Sequence, residues 1–434
     1  RKYPFRWFHL FGVDKKYRYL PLYSVSGLWR ISQEPFMVSA KWIDNLVVRA
    51  SYGLQGNIDK NTSPFLFGNY RIENILPGGS EDMIDVSGAP NKKLRWEKTH
   101  SVNAGFDFAV LNQAINLSVD YYYRKGVDLI GTQMLPLETG FEMLTVNWAS
   151  MRNQGVEVAL STRNVHTKNF MWTTNFNFAY NNNKVLKEAL REDALEPGRE
   201  GYPVGALFAL KTAGLDEEGY PMFQDKDGKA VSAMEFFKLQ EWGFGATDLT
   251  ARERRELYTY AGTADCPYTG GFNNTFTYKA FELGVNFSFD FGGKVRSQPT
   301  YSIVDFDKGR NTNRDILNRW TPENTETIFP VLLSQNERLD EYMWYSNQNE
   351  IYRNLDIWIR DLNYVRLQNI RLGYTLPTNF SRMLGMTSAT VAIEGRNLLV
   401  FGSSYKNYLD PETMSVAYAT PAPKSVTLSL NLIF

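Results

Sequence analysis

The last nine residues of the chain alternate between apolar and polar side chains. Val426, Leu428, Leu430, Leu432 and Phe434 are apolar, and three of the four residues between them are polar. Successive side chains of a β-strand point to opposite faces of the sheet. The segment is therefore predicted to be a strand with one apolar and one polar face, ending on an aromatic residue.

The same alternation recurs along the chain in segments that mostly reach about ten residues, the length a tilted strand needs to cross a bilayer. These segments are 23–32, 46–53, 101–110, 115–124, 172–181 and 281–291. Strands of soluble sandwiches are usually shorter, about five or six residues. Because a sheet in lipid cannot leave edges unpaired, we predict an all-β fold: an antiparallel transmembrane β-barrel of the outer-membrane type.

The connections between these segments are of two kinds. Residues 111–114, 164–169 and 279–280 form tight turns, whereas about 125–149, 182–269 and 294–356 are long and polar. Outer-membrane barrels have short turns on the periplasmic side and long loops outside the cell. The whole range 1–434 is therefore predicted to be one barrel portion with three long extracellular loops.

Composition supports the same class. Aromatic residues make up 15% of the chain, including 25 Tyr and 28 Phe, which suits the aromatic girdles of membrane barrels. The 47 basic and 47 acidic residues balance, so nothing in the net charge indicates a nucleic-acid partner. Alternating segments also place Asp107, Asp120, Asn175, Asn177 and Asp290 on the polar faces, where they suit a hydrated lumen.

Candidate chemistry is sparse. His9, His100 and His166 lie far apart without metal-ligand spacing, and Cys266 is the single cysteine. The segment 225–228 resembles the start of a calcium loop but lacks the later acidic ligands, and we interpret it as a turn. We therefore predict neither an enzyme nor a cofactor or metal site.

Nine segments, in the same order, resemble motifs of the SusC/RagA-type TonB-dependent outer-membrane transporters of Bacteroidota. They are WRISQEPF at 29–36, LVVRASYG at 46–53, LRWEKT at 94–99, DYYYRK at 120–125, NQGVE at 153–157, YTGGFNNT at 268–275, NRWTPEN at 318–324, VRLQNI at 365–370 and GRNL at 395–398. The resemblance extends over nearly the whole chain.

This resemblance implies the C-terminal part of a large, 22-stranded, plugged barrel in the bacterial outer membrane. The plug and the N-terminal strands are expected on another part of the same chain or on a separate one. The implied partners are a SusD-like surface lipoprotein, TonB acting through the plug, the outer-membrane lipid, and an oligosaccharide or peptide that is imported. The strand of Val426, Leu428, Leu430, Leu432 and Phe434 resembles the signal read by the barrel-assembly machinery.

Two other functions remain open at this point. A passive porin-like or scaffolding barrel would use the same wall without energy coupling. A soluble carbohydrate-active β-protein would have shorter strands and a pair of carboxylates at catalytic spacing.

Overall fold

The computed structural model describes residues 6–9, 17, 19–58, 65–66, 68–76, 79–86, 89–243, 245–297, 309, 314–332, 353–383, 385–402, 410–413 and 420–434. Its contacts divide the chain into two compact units. Unit 1 comprises Arg1–Glu192, Gly198–Val204 and Gly270–Lys279. Unit 2 comprises Asp193–Pro197, Gly205–Thr269 and Ala280–Phe434.

Unit 1 is built from long antiparallel strands. They are β1 (Arg6–His9), β2 (Tyr19–Arg30), β3 (Ile43–Asn57), β4 (Gly68–Leu76), β5 (Gly79–Val86), β6 (Glu97–Val110), β7 (Ile115–Met134), β8 (Met143–His166) and β9 (Phe170–Lys187). The main sheet has the order β1-β2-β3-β6-β7-β8-β9, and β4 and β5 form a separate hairpin. The segment Gly270–Lys279 continues this unit beyond β9.

The register of unit 1 separates apolar from polar side chains. Val48, Phe106, Val119, Val158 and Phe178 are paired in one row across five strands. Paired residues of neighbouring strands point to the same face, so this row belongs to an apolar face. The opposite face carries polar residues, as the alternation in the sequence predicts.

One loop boundary predicted in unit 1 is wrong. The expected long connection 125–149 is mostly strand, because β7 continues to Met134 and β8 begins at Met143. A β-bulge between Gly126 and Leu129 places an extra residue in β7, and Asp128 there has a φ of 57°. The bulge interrupts the period of two, which is why the alternation appears to end there.

Unit 2 contains four further long antiparallel strands. Its strands β16 (Phe281–Arg296), β17 (Ile359–Thr375), β18 (Ser388–Phe401) and β19 (Ser425–Ile433) pair in that order. Between β17 and β18 lies one short helix, Thr378–Met383.

The predicted loop 182–269 is a folded connection as far as the structure describes it. After β9 it holds β10 (Ala206–Leu210), β11 (Thr212–Leu215), β12 (Pro221–Gln224), β13 (Ala230–Val231) and β14 (Tyr258–Thr263). Two short helices, Ala233–Phe236 and Ala251–Glu256, also belong to it. The next strand, β15, spans Tyr268–Tyr278.

This connection has an apolar core of its own within unit 2. Phe223 is fully buried and stacks on Phe236 with ring centroids 4.8 Å apart. Leu355 and Trp358, which precede β17, pack in the same cluster. The segment is therefore stabilised by buried apolar side chains and not only by turns.

The third predicted loop, 294–356, is described only in part. β16 ends at Arg296 within it, and its described residues include a short 3-10 helix, Arg314–Asn318. Residues 298–308, 310–313 and 333–352 lie outside the described residues. The side chains of Phe329 and Val331 pack against the apolar core of the folded connection.

The all-β antiparallel fold is confirmed, whereas the number of 22 strands stays a prediction. Among the described residues, no helix is long and apolar enough to span a membrane.

Candidate functional site: the polar wall faces

The polar face of unit 1, here called polar wall 1, carries a network of charges centred on Arg49. Register places Arg49 opposite Gly105 and Gly105 opposite Asp120, while Asp107 is opposite Ser118. Arg49 therefore reaches carboxylates on two neighbouring strands. A Cβ atom at Gly105 would overlap the Asp120 carboxylate, so glycine leaves the space in which this pair forms.

The Arg49 guanidinium donates from all three of its nitrogens to acceptors on the neighbouring strands. Its Nε donates to Asp120 Oδ1 at 3.1 Å, one terminal nitrogen donates to Ser118 Oγ at 3.1 Å, and it forms ion pairs with Asp107 and Asp120. Ser118 Oγ in turn donates to Asp107 Oδ1 at 2.8 Å. Each member of the network thus fixes its neighbours on a face that water reaches.

Two depressions lie along polar wall 1. One of about 370 Å³ is lined by Asp107, Ser118, Asn175 and Asn177 among others. A second of about 230 Å³ lies beside Asp120 and Glu157. Amide, hydroxyl and carboxylate groups offer both donors and acceptors of hydrogen bonds, so the wall suits hydrated, polar solutes.

The polar face of unit 2, here called polar wall 2, holds a more deeply buried ion pair. Arg366 on β17 forms ion pairs with Asp410 and with Glu412, and its Nε donates to Glu412 Oε1 at 2.8 Å. The side chains of Arg366 and Asp410 are only 2% and 5% exposed. The Tyr364 hydroxyl, two residues before Arg366, donates to Asp290, and its oxygen lies 3.2 Å from Glu412 Oε1.

Asp410 also organises the connection between β18 and β19. Its carboxylate accepts the backbone N–H of Glu412 at 3.0 Å and that of Ala422 at 3.1 Å. Burial acts to raise the pKa of Asp410, but the hydrogen bonds from Arg366 and the two backbone N–H groups outweigh it and the pKa is lowered. A charged Asp410 therefore ties this connection to the strand wall.

The residues of the predicted assembly signal lie on one exposed face. Val426, Leu428, Leu430 and Leu432 are opposite Gly395, Ile393, Val391 and Ala389 of β18. Exposure of the five apolar residues ranges from 38% at Leu432 to 81% at Phe434. The structure confirms that β19 is a strand, and the role of these residues in assembly stays a prediction.

The residues considered for metal or catalytic chemistry do not come together. Among the described residues, no three His, Cys, Asp or Glu side chains are placed to hold a metal ion. His100 Nδ1 lies 2.9 Å from Tyr52 Oη. Asp225 Oδ1 accepts the backbone N–H groups of Asp227 and Lys229, which is the geometry of the turn that the sequence indicates.

Sequence reasoning identified the acids of both walls but missed their arginines. Asp107, Asp120 and Asp290 were expected on the polar faces, and the structure places them there. Within its own strand, Arg49 occupies one of the alternate positions that point to the polar face. The alternation of the sequence could therefore have identified it. Arg366 and Asp410 are 44 positions apart, and no local pattern connects them.

Comparison with known proteins identifies the fold family. The family described as "TonB dependent receptor-like, beta-barrel" matches residues 6–207. Residues 6–207 match the β-barrel domain of TonB-dependent receptors. Proteins of this family reside in the outer membrane, where barrel strands turn an apolar face to lipid and a polar face to the lumen.

Relatives agree over nearly the full chain. Two TonB-dependent receptors of Formosa agariphila are 26% and 27% identical, each over 98% of this chain. The TonB-dependent receptor SusC of Bacteroides thetaiotaomicron is 25% identical over 97% of it. The chain spans only 42%, 43% and 40% of these relatives, respectively.

Solved structures show the same fold for this receptor domain. The RagAB peptide transporter superposes with a TM-score of 0.73 at 24% identity, covering 97% of this chain and 44% of the other. The RagAB peptide importer in its "open-open" state gives a TM-score of 0.75 at 23% identity. At these identities the likeness supports the fold.

Proposed function

We propose that this chain is the C-terminal barrel portion of a TonB-dependent importer that takes up oligosaccharides or peptides through the outer membrane. The observation that carries the proposal is the pair of polar walls, with charged networks at Arg49 and Arg366, opposite apolar faces that meet lipid. Such a wall favours passage of a polar solute. One solved structure of this fold is a peptide transporter and one relative is SusC, which supports large nutrients as cargo.

The chain supplies wall and external surface and makes or breaks no bond. In this proposal the range 1–434 provides strands and external connections, including the folded connection around Phe223. A plug-bearing N-terminal portion, on the same or a separate chain, closes the lumen and contacts TonB. A SusD-like surface lipoprotein covers the external side and delivers the substrate.

The first test is to purify the protein from outer membranes in mild detergent and to identify all co-purifying polypeptides by mass spectrometry. Stoichiometric amounts of plug peptides and of one surface lipoprotein are expected. A peptide whose sequence runs from the plug-bearing portion into this chain would show that both belong to one polypeptide. Purification of this chain without plug and lipoprotein contradicts the proposal.

A second experiment separates active import from a passive porin-like barrel. Cells are supplied with fluorescent oligosaccharides or peptides of graded size, with and without a protonophore. Uptake through an energised importer is abolished by the protonophore, whereas diffusion through an open barrel continues. Continued uptake that requires this protein would establish the passive function instead.

A further inference from the structure

The lipid-facing side of unit 1 carries a row of basic side chains near the end of its apolar face. Lys125 on β7 is opposite Arg152 on β8, and Arg152 is opposite Lys184 on β9. His100 on β6 is opposite Lys125. Directly paired residues in neighbouring strands lie about 5 Å apart on the same face. Lys125, Arg152 and Lys184, here called the basic row, therefore form a continuous line of three positive charges.

The basic row lies on the same face of the sheet as the apolar row of Phe106, three rows away. The next row on the same face is Val102, Tyr123, Gln154 and Asn182, followed by Ala104, Tyr121, Val156 and Tyr180. Tyrosines are typical of the boundary between lipid and water. Beyond them come Phe106, Val119, Val158 and Phe178. The basic row thus lies at the depth of lipid headgroups, on the side away from the short turns 111–114 and 167–169.

The described residues offer this row no carboxylate. The nearest acids along these strands are already engaged: Asp128 pairs with Arg95 and Lys98, and Glu97 accepts from Asn57 and from the backbone of Ile130. Glu157 belongs to polar wall 1, because it is opposite Asp120. Arg152 Nε is buried and has no hydrogen-bond partner among the described atoms.

Like charges in directly opposite positions destabilise a sheet. Three neighbouring cations without a carboxylate are therefore expected to be offset by an anion from outside the described chain. The position at headgroup depth decides which anion this is, since a phosphorylated headgroup presents its charge there. Arginine and lysine are both suited to phosphate oxygens, through two parallel bonds or as a compact charge.

We propose that Lys125, Arg152 and Lys184 bind the phosphate groups of a phosphorylated lipid in the leaflet that surrounds this end of the strands. The tyrosines of the next rows contact the adjoining acyl and headgroup region. In the orientation of the proposed importer this is the external leaflet. Binding itself requires only that the domain resides in the membrane, so it can hold even if import does not.

The test uses the protein purified from outer membranes, exchanged into neutral detergent and titrated with detergent-solubilised lipid A. Occupancy is followed by native mass spectrometry. The test variant replaces all three residues, Lys125→Gln, Arg152→Gln and Lys184→Gln. The control variant removes the same three charges at the short-turn side of unit 1, Lys41→Gln, Arg163→Gln and Lys168→Gln, where all three side chains are exposed. A heat-modified gel shift verifies that each barrel is folded.

Removing one cation near an anionic headgroup weakens binding by about fivefold, so the triple variant should bind lipid A about a hundredfold more weakly. The control variant should bind like the wild type. Lipid A without phosphates should bind the wild type as weakly as lipid A binds the test variant.

Three results would overturn the proposal. Equal binding by test variant and wild type would show that the row is not the site. Equal loss in both triple variants would show a general effect of net charge. Displacement of lipid A by an equal concentration of inorganic phosphate would show a site for free phosphate and not for lipid.

Discussion

At the scale of single residues, Cys266 shows how burial governs reactivity. It lies in the short segment between β14 and β15, and its Sγ is 3.9 Å from the Leu362 carbonyl oxygen. Burial, with a contribution from the negative charge of Asp290, raises the pKa of the thiol to about 11. Because the thiolate is the reactive form, the group should be inert at neutral pH.

We expect slow labelling of Cys266 by a maleimide at pH 8. The thiolate fraction should be about a hundredfold lower than that of an ordinary thiol and should rise about tenfold per pH unit until the pH approaches the raised pKa. The measurement is the labelling rate from pH 7 to 11 in the folded protein. Cys266→Ala combined with Lys168→Cys provides an exposed reference thiol. Equal rates for both thiols at pH 8 would contradict the raised pKa.

The Arg366–Asp410 pair makes a second prediction at this scale. Removing one partner leaves the other charge buried without a counter-charge. Asp410→Ala should therefore lower the free energy of local unfolding by about 3–5 kcal/mol. Glu412→Ala removes the more exposed carboxylate of the same arginine and should cost at most about 1 kcal/mol. Limited proteolysis at residues 410–413 and 420–424 provides the measurement. Equal resistance of the two variants to proteolysis would show that the buried Arg366–Asp410 pair does not hold this connection in place.

At the scale of elements, β19 shows a strand whose two faces carry different kinds of side chain. Leu428 and Leu430 are opposite Ile393 and Val391, whereas Thr427 is opposite Glu394. The alternation seen in the sequence is therefore realised in the pairing. It also means that a polar residue on the apolar face would be placed in lipid, where its groups lack water.

We expect Leu428→Ser combined with Leu430→Ser to lower the amount of folded barrel in outer membranes severalfold, measured by heat-modified gel shift and by fractionation. Phe434→Ala should act in the same direction if the C-terminal aromatic belongs to the assembly signal. Thr427→Ser combined with Ser429→Thr changes the polar face conservatively and is the control. Normal membrane levels of the leucine variant would exclude these residues as part of the signal.

The sequence permitted prediction of strands wherever the period of two was intact, as in β6, β9 and β19. It failed where geometry broke that period, because the bulge at Asp128 shifts the phase within β7. The folded connection was also missed, since its apolar residues follow no simple period and meet only through tertiary contacts of Phe223, Phe236 and Trp358. Arg366 was missed because its partner Asp410 is 44 positions away, whereas Arg49 follows the alternation of its own strand.

At the scale of the whole molecule, the chain combines two kinds of stability. The sheets with an apolar face towards lipid are stabilised by hydrogen bonds between backbone groups. The folded connection instead has a buried apolar core around Phe223, like that of a water-soluble domain. Loss of that core should therefore unfold the connection while the strands stay assembled.

We expect Phe223→Ala to destabilise the folded connection by about 3–5 kcal/mol because it leaves a cavity in a closely packed core. Proteolysis within residues 206–263 should accelerate, and the heat-modified gel shift of the barrel should be unchanged. Phe380→Ala removes the same side chain from a half-exposed position and should change neither measurement. Loss of the gel shift in Phe223→Ala would show that the connection and the strands unfold together.

The length of β8 determines where this protein first meets its surroundings. Its 24 residues span about 80 Å along the strand and about 55 Å across the membrane if tilted by about 45°. The apolar band of such barrels is about 25 Å tall. The strand therefore projects well beyond the lipid as rigid, hydrogen-bonded wall. Nutrients, antibodies and phages would then encounter a raised rim within the surface sugar coat, and the membrane beneath it would be shielded from them.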